Sequence, residues 1–313
     1  MANLAYLQIT RKCDQVCRFC SNPPSGWKDI SLKSAMKLVD NYIKKGYDGL
    51  ILTGGEPTKY PWLAEIVSYC SKKGFPARII TNGQKIAKAD FLAKLVASGL
   101  RHLHISIYSH KEKVQDFLTQ NKGSLKNIKR ALANLSEYPF ISIAANITFN
   151  KYNSNHLSGL ARFLVENYPF IRHFSFNNLD PTSDRVQENL DTIPKLSDFE
   201  LELNKTLTFL ESRGKSFRVE RVPLCYMAGF EYCSTETRKI VKNETRPLHF
   251  LDKRGARVED DFYRDKAPQC QFCFLDEICA GLWQMDKYYS SKELYPVFVS
   301  TQPIIQRIRQ NDN

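Results

Sequence analysis

Arg11-Lys12-Cys13-Asp14-Gln15-Val16-Cys17-Arg18-Phe19-Cys20 carries three cysteines at the spacing C-x3-C-x2-C, directly after the strand-like run Ala5 to Ile9. Thiolates this close on one loop can wrap a metal centre, and several soft sulfur ligands select zinc or an iron–sulfur cluster. Their number decides the reading. A structural zinc site is closed by four protein ligands, whereas three leave one metal position open for chemistry. The loop therefore reads as a reactive cluster, with a zinc knuckle completed by a distant residue as the alternative.

Outward from that loop, strand-like and helix-like segments alternate. Strands are expected at Gly49 to Thr53, Ala77 to Thr81, His102 to Tyr108, Phe140 to Phe149 and Ile171 to Phe176. Helices are expected at Leu32 to Lys45 with Ser31 as cap, and from Pro61 to Lys73 and Asp90 to Gly99. Three more are expected over Ser124 to Ser136, Asn155 to Tyr168 and Ser197 to Arg213, the last closed by Gly214. Six βα units in a row imply an α/β fold with a parallel sheet and right-handed crossovers. In parallel barrels the chemistry sits at the strand C-terminal ends. The cysteine loop, Gly54-Gly55-Glu56-Pro57 and Thr81-Asn82-Gly83 all fall there. Paired glycines let backbone approach a ligand that no side chain would admit, and Glu56 supplies an acceptor for an ammonium group.

The cysteine triplet with Phe19 before its third member, followed by Gly54-Gly55-Glu56-Pro57, resembles the radical S-adenosylmethionine (radical SAM) superfamily. That resemblance implies a partial (β/α)6 TIM barrel. It implies a [4Fe–4S] cluster on Cys13, Cys17 and Cys20, whose open iron takes the SAM amino and carboxylate groups. It also implies reductive cleavage of SAM to a 5′-deoxyadenosyl radical, hydrogen abstraction from substrate, and a flavodoxin- or ferredoxin-type reductant. Gly54, Gly55 and Glu56 would contact the SAM methionine. Asn82, Ser106 and Asn146 stand at strand-end depths where such enzymes meet the methionine or ribose, and Phe19 would line the adenine pocket.

From Lys215 the character changes. A short strand at Ser216 to Val222 leads into a loop-rich tail with Cys270-Gln271-Phe272-Cys273 and Cys279, preceded by Cys225 and Cys233. A C-x2-C turn chelates through both sulfurs and two further thiolates complete four-coordination. Five cysteines thus compete for four places, with Cys225 favoured over Cys233 because it follows a strand. The set resembles the reduced "twitch" form of the SPASM auxiliary-cluster domain, including Cys279-Ala280-Gly281. Trp283 stands where the full pattern has a cysteine, which implies one auxiliary [4Fe–4S] cluster on Cys225, Cys270, Cys273 and Cys279; zinc is the alternative. The expected domains are a core over 1–214 and the auxiliary-cluster domain over 215–313.

At 313 residues, with 42% apolar and 25% charged residues, the chain can bury a sizeable core. Its start has no basic and apolar signal pattern, and no run approaches the roughly 18 apolar residues of a membrane span. A cytoplasmic protein is expected, with its nine cysteines serving metal or catalysis rather than disulfides. Cys70 reads as a small buried apolar residue. The net charge of +12 suits an anionic partner or a solvated surface. Basic and aromatic residues are not interleaved as base stacking needs, which speaks against a nucleic acid partner. His102 and His104 share one strand face, as a metal pair or as barrel lining.

The expected reaction is net oxidation or cross-linking of a peptide or protein, assisted by the auxiliary cluster. A strand beginning by residue 5 leaves no room for a preceding peptide-recognition domain, so a small metabolite, phosphorylated given the charge, is the alternative substrate. The chain ends without the Gly-Gly-Arg-Arg-like motif of molybdopterin-precursor cyclases. A non-catalytic iron–sulfur carrier is a further alternative, although a carrier needs no methionine site.

Overall fold

The computed structural model describes residues 3–310; residues 1, 2 and 311–313, the outer ends of the two expected domains, lie outside it. Seven strands follow the expected order: β1 (Leu4–Thr10), β2 (Gly49–Gly54), β3 (Ala77–Thr81), β4 (His102–Ser106), β5 (Ser142–Phe149), β6 (Ile171–Asn178) and β7 (Ser216–Glu220). Each pairs in parallel with its sequence neighbours. The helices are α1 (Leu32–Lys44), α2 (Leu63–Lys72), α3 (Ala89–Ala97), α4 (Glu112–Thr119), α5 (Ser124–Ser136), α6 (Leu157–Asn167), α7 (Asp184–Gln187), α8 (Glu200–Ser212), α9 (Thr235–Lys242) and α10 (Thr301–Gln310). The α4, α7, α9 and α10 helices are additions to the expected six.

Local chemistry explains these elements. Ser31 caps α1 by accepting the Ser34 amide at 3.1 Å, and Ala35, Val39 and Tyr42 then fall on one buried stripe. Along the strands, one face is sealed under helices: Leu103 and Ile105 of β4, Ile143 and Ile147 of β5, and Phe174 and Phe176 of β6 are buried. Each such side chain stabilises the fold by about 1.5–3 kcal/mol. Most alternate residues, Arg78, His104, Asn146, His173, Ser175 and Arg218 among them, are only partly buried and face the inside of the curled sheet.

Two further strands come from the tail. β8 (Arg246–His249) pairs in parallel with β1, and β9 (Ala256–Glu259) pairs antiparallel with β8. The unclosed nine-stranded sheet runs β7-β6-β5-β4-β3-β2-β1-β8-β9. This hairpin replaces what the sequence suggested was loop. Its strands are four residues long, carry Pro247 and several charges, and show no alternation to read. The charges have a structural use. Arg246 on β8 reaches Glu220 on β7 at 2.7 Å and Glu259 on β9 at 2.6 Å, so one guanidinium laces the two ends of the sheet together. Among the described residues, no helix is long and apolar enough to cross a membrane.

Candidate active site at the strand ends

Where β1 ends, the cysteine loop folds across the end of β2. The Gly55 amide donates to the Thr10 carbonyl at 2.9 Å, and the Glu56 amide donates to the Lys12 carbonyl at 2.7 Å. A Cβ on Gly54 would stand 2.1 Å from the Thr10 oxygen, and one on Gly55 2.5 Å from the Lys12 oxygen. Both glycines are therefore required by close approach. What approaches them in this structure is the chain's own backbone rather than a ligand, Thr10 at the end of β1 for Gly54 and Arg11 and Lys12 of the cysteine loop for Gly55.

Glu56 is 1% exposed and acts as a hub. Its Oε1 accepts from the Thr58 amide at 3.0 Å, the Thr58 hydroxyl at 2.6 Å and the Thr81 hydroxyl at 2.7 Å. Its Oε2 accepts from the Asn82 amide alone, at 2.7 Å. A carboxylate offers about four acceptor positions, two on each oxygen, so Oε2 retains one. Burial pushes this carboxyl above its usual range, while the four donors hold it down. Asn82 extends the hub: its Nδ2 donates to Asp14 Oδ1 at 2.7 Å and lies 3.8 Å from Cys13 Sγ. Asp14 in turn pairs with Lys59 at 3.2 Å.

The three thiols are partly buried. The Gln15 amide points at Cys13 Sγ and the Asn22 amide at Cys20 Sγ, each at 3.4 Å. The Cys17 thiol donates to Gln15 Oε1 at 3.7 Å. Burial pushes Cys13 up to about 12, and it raises Cys17 and Cys20 too, with the approach of the other two thiols adding to Cys17. Thiols raised in this way ionise only when a cation compensates them. Three soft donors with amides aimed at two of them suit an iron–sulfur cluster better than free redox cysteines. Among the described residues, no three His, Cys, Asp or Glu side chains converge tightly enough for a single metal ion. A metal would have to draw them in, or bridge them as a cluster does with each thiolate on its own iron.

Phe19 lies beneath the loop, edge-on to Tyr108 with ring centroids 4.7 Å apart, in a small apolar cluster with Leu118, Leu179 and Val186. Ser106 and Asn146 are register partners on β4 and β5, and Asn146 Oδ1 accepts from Asn177 at 3.0 Å. Sequence reasoning missed the residues that hold the loop from outside. Arg11, buried, pairs with Asp252 at 2.7 Å, and the Leu251 amide donates to Gln8 Oε1 at 3.2 Å. Both partners lie in the turn between β8 and β9, so the tail clamps the cysteine loop. Gln15 Nε2 donates to Ser124 at the start of α5 at 3.1 Å. None of these carries a local signal, because each pairing spans more than a hundred residues.

The tail cysteines sit on short turns. Cys225 is raised to about 12 by burial, and the Cys279 and Cys270 thiols approach it closely enough to add to that rise. Cys279 feels Cys273, and Cys270 also feels Cys273. The Val297 amide points at Cys273 Sγ at 3.3 Å and the Gly281 amide at Cys279 Sγ at 3.4 Å. Cys233 stands apart: it is buried, and the charged groups acting on it are Arg218, Glu231 and Arg307 rather than another cysteine. His102 and His104 share the inner face of β4, where burial lowers both.

Residues 7–164 match the family described as the Radical SAM superfamily. The 7,8-dihydro-6-hydroxymethylpterin dimethyltransferase of Methanocaldococcus jannaschii is 25% identical over 192 residues, 59% of this chain and 38% of that protein. The PqqA peptide cyclase of Methylocella silvestris is 24% identical over 161 residues, 50% of this chain and 43% of that protein. The chain thus spans about two fifths of the length of these relatives. The structure of Streptococcus suis SuiB bound to precursor peptide SuiA superposes with a TM-score of 0.65 at 17% identity, over 90% of this chain and 72% of that one, and so shares its fold.

Proposed function

The chain belongs to the radical SAM superfamily, and from that premise we propose that this enzyme cleaves SAM reductively and abstracts hydrogen from a peptide or protein, with net oxidation or cross-linking. The observation that carries the reading is the joint between the two motifs. Gly55 and Glu56 bond to the backbone of the cysteine loop, and Asn82 ties Glu56 to Cys13 and Asp14.

Cys13, Cys17 and Cys20 would hold a [4Fe–4S] cluster with SAM on its open iron. Cys225, Cys270, Cys273 and Cys279 would hold a second one within a twitch/SPASM-like domain over 215–313, beside the core over 1–214. Bound there, the clusters and SAM supply hydrogen-atom abstraction and a one-electron acceptor. The chain's own residues bind and orient. Glu56 Oε2 has the acceptor position for the SAM ammonium group, while Gly54 and Gly55 keep the neighbouring backbone close. Ser106 and Asn146 face the methionine or ribose from the strand ends, and Phe19 with Tyr108 bounds the adenine side and excludes water. A cytoplasmic flavodoxin- or ferredoxin-type protein would deliver the electron.

The peptide substrate is supported by relatives named for peptides, the PqqA peptide cyclase and SuiB with SuiA. A small metabolite is the second reading, favoured by the pterin dimethyltransferase relative and by the basic lumen described below. Electron paramagnetic resonance of the reduced, reconstituted chain tests the assignment. Two cluster signals are expected, with SAM perturbing one; that one should vanish when Cys13, Cys17 and Cys20 are replaced by Ala. A SAM-insensitive spectrum would refute it.

A further inference from the structure

The inner face of the sheet changes chemistry with depth. Near the strand C-terminal ends it carries Ser106, Asn146 and Asn177, which are neutral. Deeper, register aligns Arg78 with His102, and aligns His104 through Ala144 with His173. The residues between them, Ile79, Leu103 and Ile105, are buried on the outer face, so Arg78 and His104 border the lumen.

Arg78 makes no hydrogen bond or ion pair with any described residue, and its Nε is buried without a partner. Removing a guanidinium from water without a counter-charge is costly. Among the described residues, no carboxylate pairs with it. Glu220 is engaged by Arg246 at 2.7 Å, and Glu244 by Arg238 at 3.4 Å. Arg218, on the next strand beyond His173, adds a second positive charge, and burial together with the Arg238 charge pulls it down to about 10. His173 Nδ1 meets Ser216 Oγ at 2.9 Å, which leaves Nε2, and the His104 ring makes no hydrogen bond among the described residues. Burial and the neighbouring positive charges keep both rings neutral at physiological pH, so His104 can offer a donor without a second proton. Ser216 Oγ, by contrast, donates to the Arg172 carbonyl at 3.2 Å and therefore accepts from His173 Nδ1, leaving His173 Nε2 as an acceptor.

We propose that this lower half of the lumen binds an anionic oxygen group of the substrate, with Arg78 as its principal partner, Arg218 and His104 beside it, and His173 a neighbour that senses the charge without donating to it. The site rests on reading the lumen as the substrate chamber. Four residue steps separate Arg78 on β3 from Asn82 just past its end, roughly 13 Å at strand rise, so the anion is an anchor remote from the reacting carbon. The group is a carboxylate if the substrate is an acidic peptide, or a phosphoryl if it is a metabolite.

The test is nuclear magnetic resonance of the reconstituted chain with labelled histidines, titrated at neutral pH with inorganic phosphate and separately with acetate. Saturable shifts at His104 and His173, and none at His110, are expected with at least one anion. Tighter binding of phosphate assigns a phosphoryl group; tighter binding of acetate assigns an acidic side chain. Arg78→Gln should weaken that binding about ten-fold or more, the worth of a hydrogen bond to a charged group, with Arg78→Lys in between. Heat unfolding separates this from misfolding. Arg78→Gln should melt at or above the wild-type temperature and lose the rise that the anion gives the wild type. No shift at either histidine, or equal binding by Arg78→Gln, overturns the proposal. The titration does not depend on SAM cleavage. A chain that cleaves SAM but binds no anion refutes this site alone, and one that binds anion without cleaving SAM refutes the cluster reading alone.

Discussion

Cys13, Cys17 and Cys20 arrive on a single loop pinned by sheet-end hydrogen bonds, whereas Cys225 and Cys270 sit within, and Cys273 and Cys279 directly follow, short 3-10 helices at Leu224–Tyr226, Pro268–Phe272 and Asp276–Ile278. The first set has a buried hub in Glu56, ties to Thr81 and Asn82, and a clamp through Arg11 and Asp252. The second has no such hub and packs on the main core beside Leu275, Ile278 and Leu282, with Phe272, Phe274 and Phe298 exposed nearby. The difference teaches where metal and protein share the work. The N-terminal loop is largely organised by the sheet, so its metal mainly supplies chemistry. If the tail turns hold the proposed second cluster, holding their ligands together would supply folding free energy as well as chemistry.

The largest effect expected from this contrast is in activity. Replacing Cys13, Cys17 and Cys20 by Ala should lower 5′-deoxyadenosine formation more than about 100-fold, beyond the 10–100-fold typical of residues one step removed from a metal. Circular dichroism should show the sheet retained.

Next comes iron stoichiometry. Cys270→Ala with Cys273→Ala should take reconstituted iron from about eight to about four per chain, as loss of one [4Fe–4S] cluster requires. SAM cleavage should persist, and Cys233→Ser should leave iron unchanged. Hydrogen exchange on chelated protein should speed first around residues 265–297 and not in β1 to β3; equal loss in both would break the contrast.

Glu56→Gln tests the hub. The Gln amide nitrogen must face either the Asn82 amide or the Thr58 amide, leaving a buried backbone donor unmet at a cost of about 1–3 kcal/mol. Urea unfolding would read it, and SAM affinity should fall in parallel.

The smallest effect concerns the joint between barrel and tail. Glu236 on α9 is buried and accepts from the Arg221 amide at 3.0 Å; burial and the charge of Glu220 raise its carboxyl. An acid raised in the folded state is most stable when protonated, so stability is lost as pH climbs above the ordinary carboxylate range. Glu236→Gln should therefore remove part of the fall in melting temperature between mildly acid and neutral pH. An unchanged pH profile would mean that Glu236 does not bear on this joint.

Much of the barrel was legible because its signals are local. Six apolar strand runs, each followed by a helix with readable ends, predict the sheet order, and the cysteine, Gly-Gly-Glu and Asn-Gly segments fall at its C-terminal edge. The β8–β9 hairpin was illegible because Arg246, Pro247, Arg257 and Glu259 look like loop residues until Glu220 is beside them. α10 did leave a trace, with Ile304 and Ile308 four apart and both buried, but Pro303 obscured it. The isolation of Arg78 is visible only once the strands are aligned and its Nε proves buried without a partner. The same holds for Asp252, whose partner lies at the other end of the chain.

The central claim is tested most directly by incubating the reduced, iron-reconstituted chain with SAM under anaerobic conditions and measuring 5′-deoxyadenosine, beside the same protein lacking Cys13, Cys17 and Cys20. Formation by the first and its absence from the second is the predicted result. A wild-type chain that binds iron at this loop yet neither binds nor cleaves SAM would contradict it.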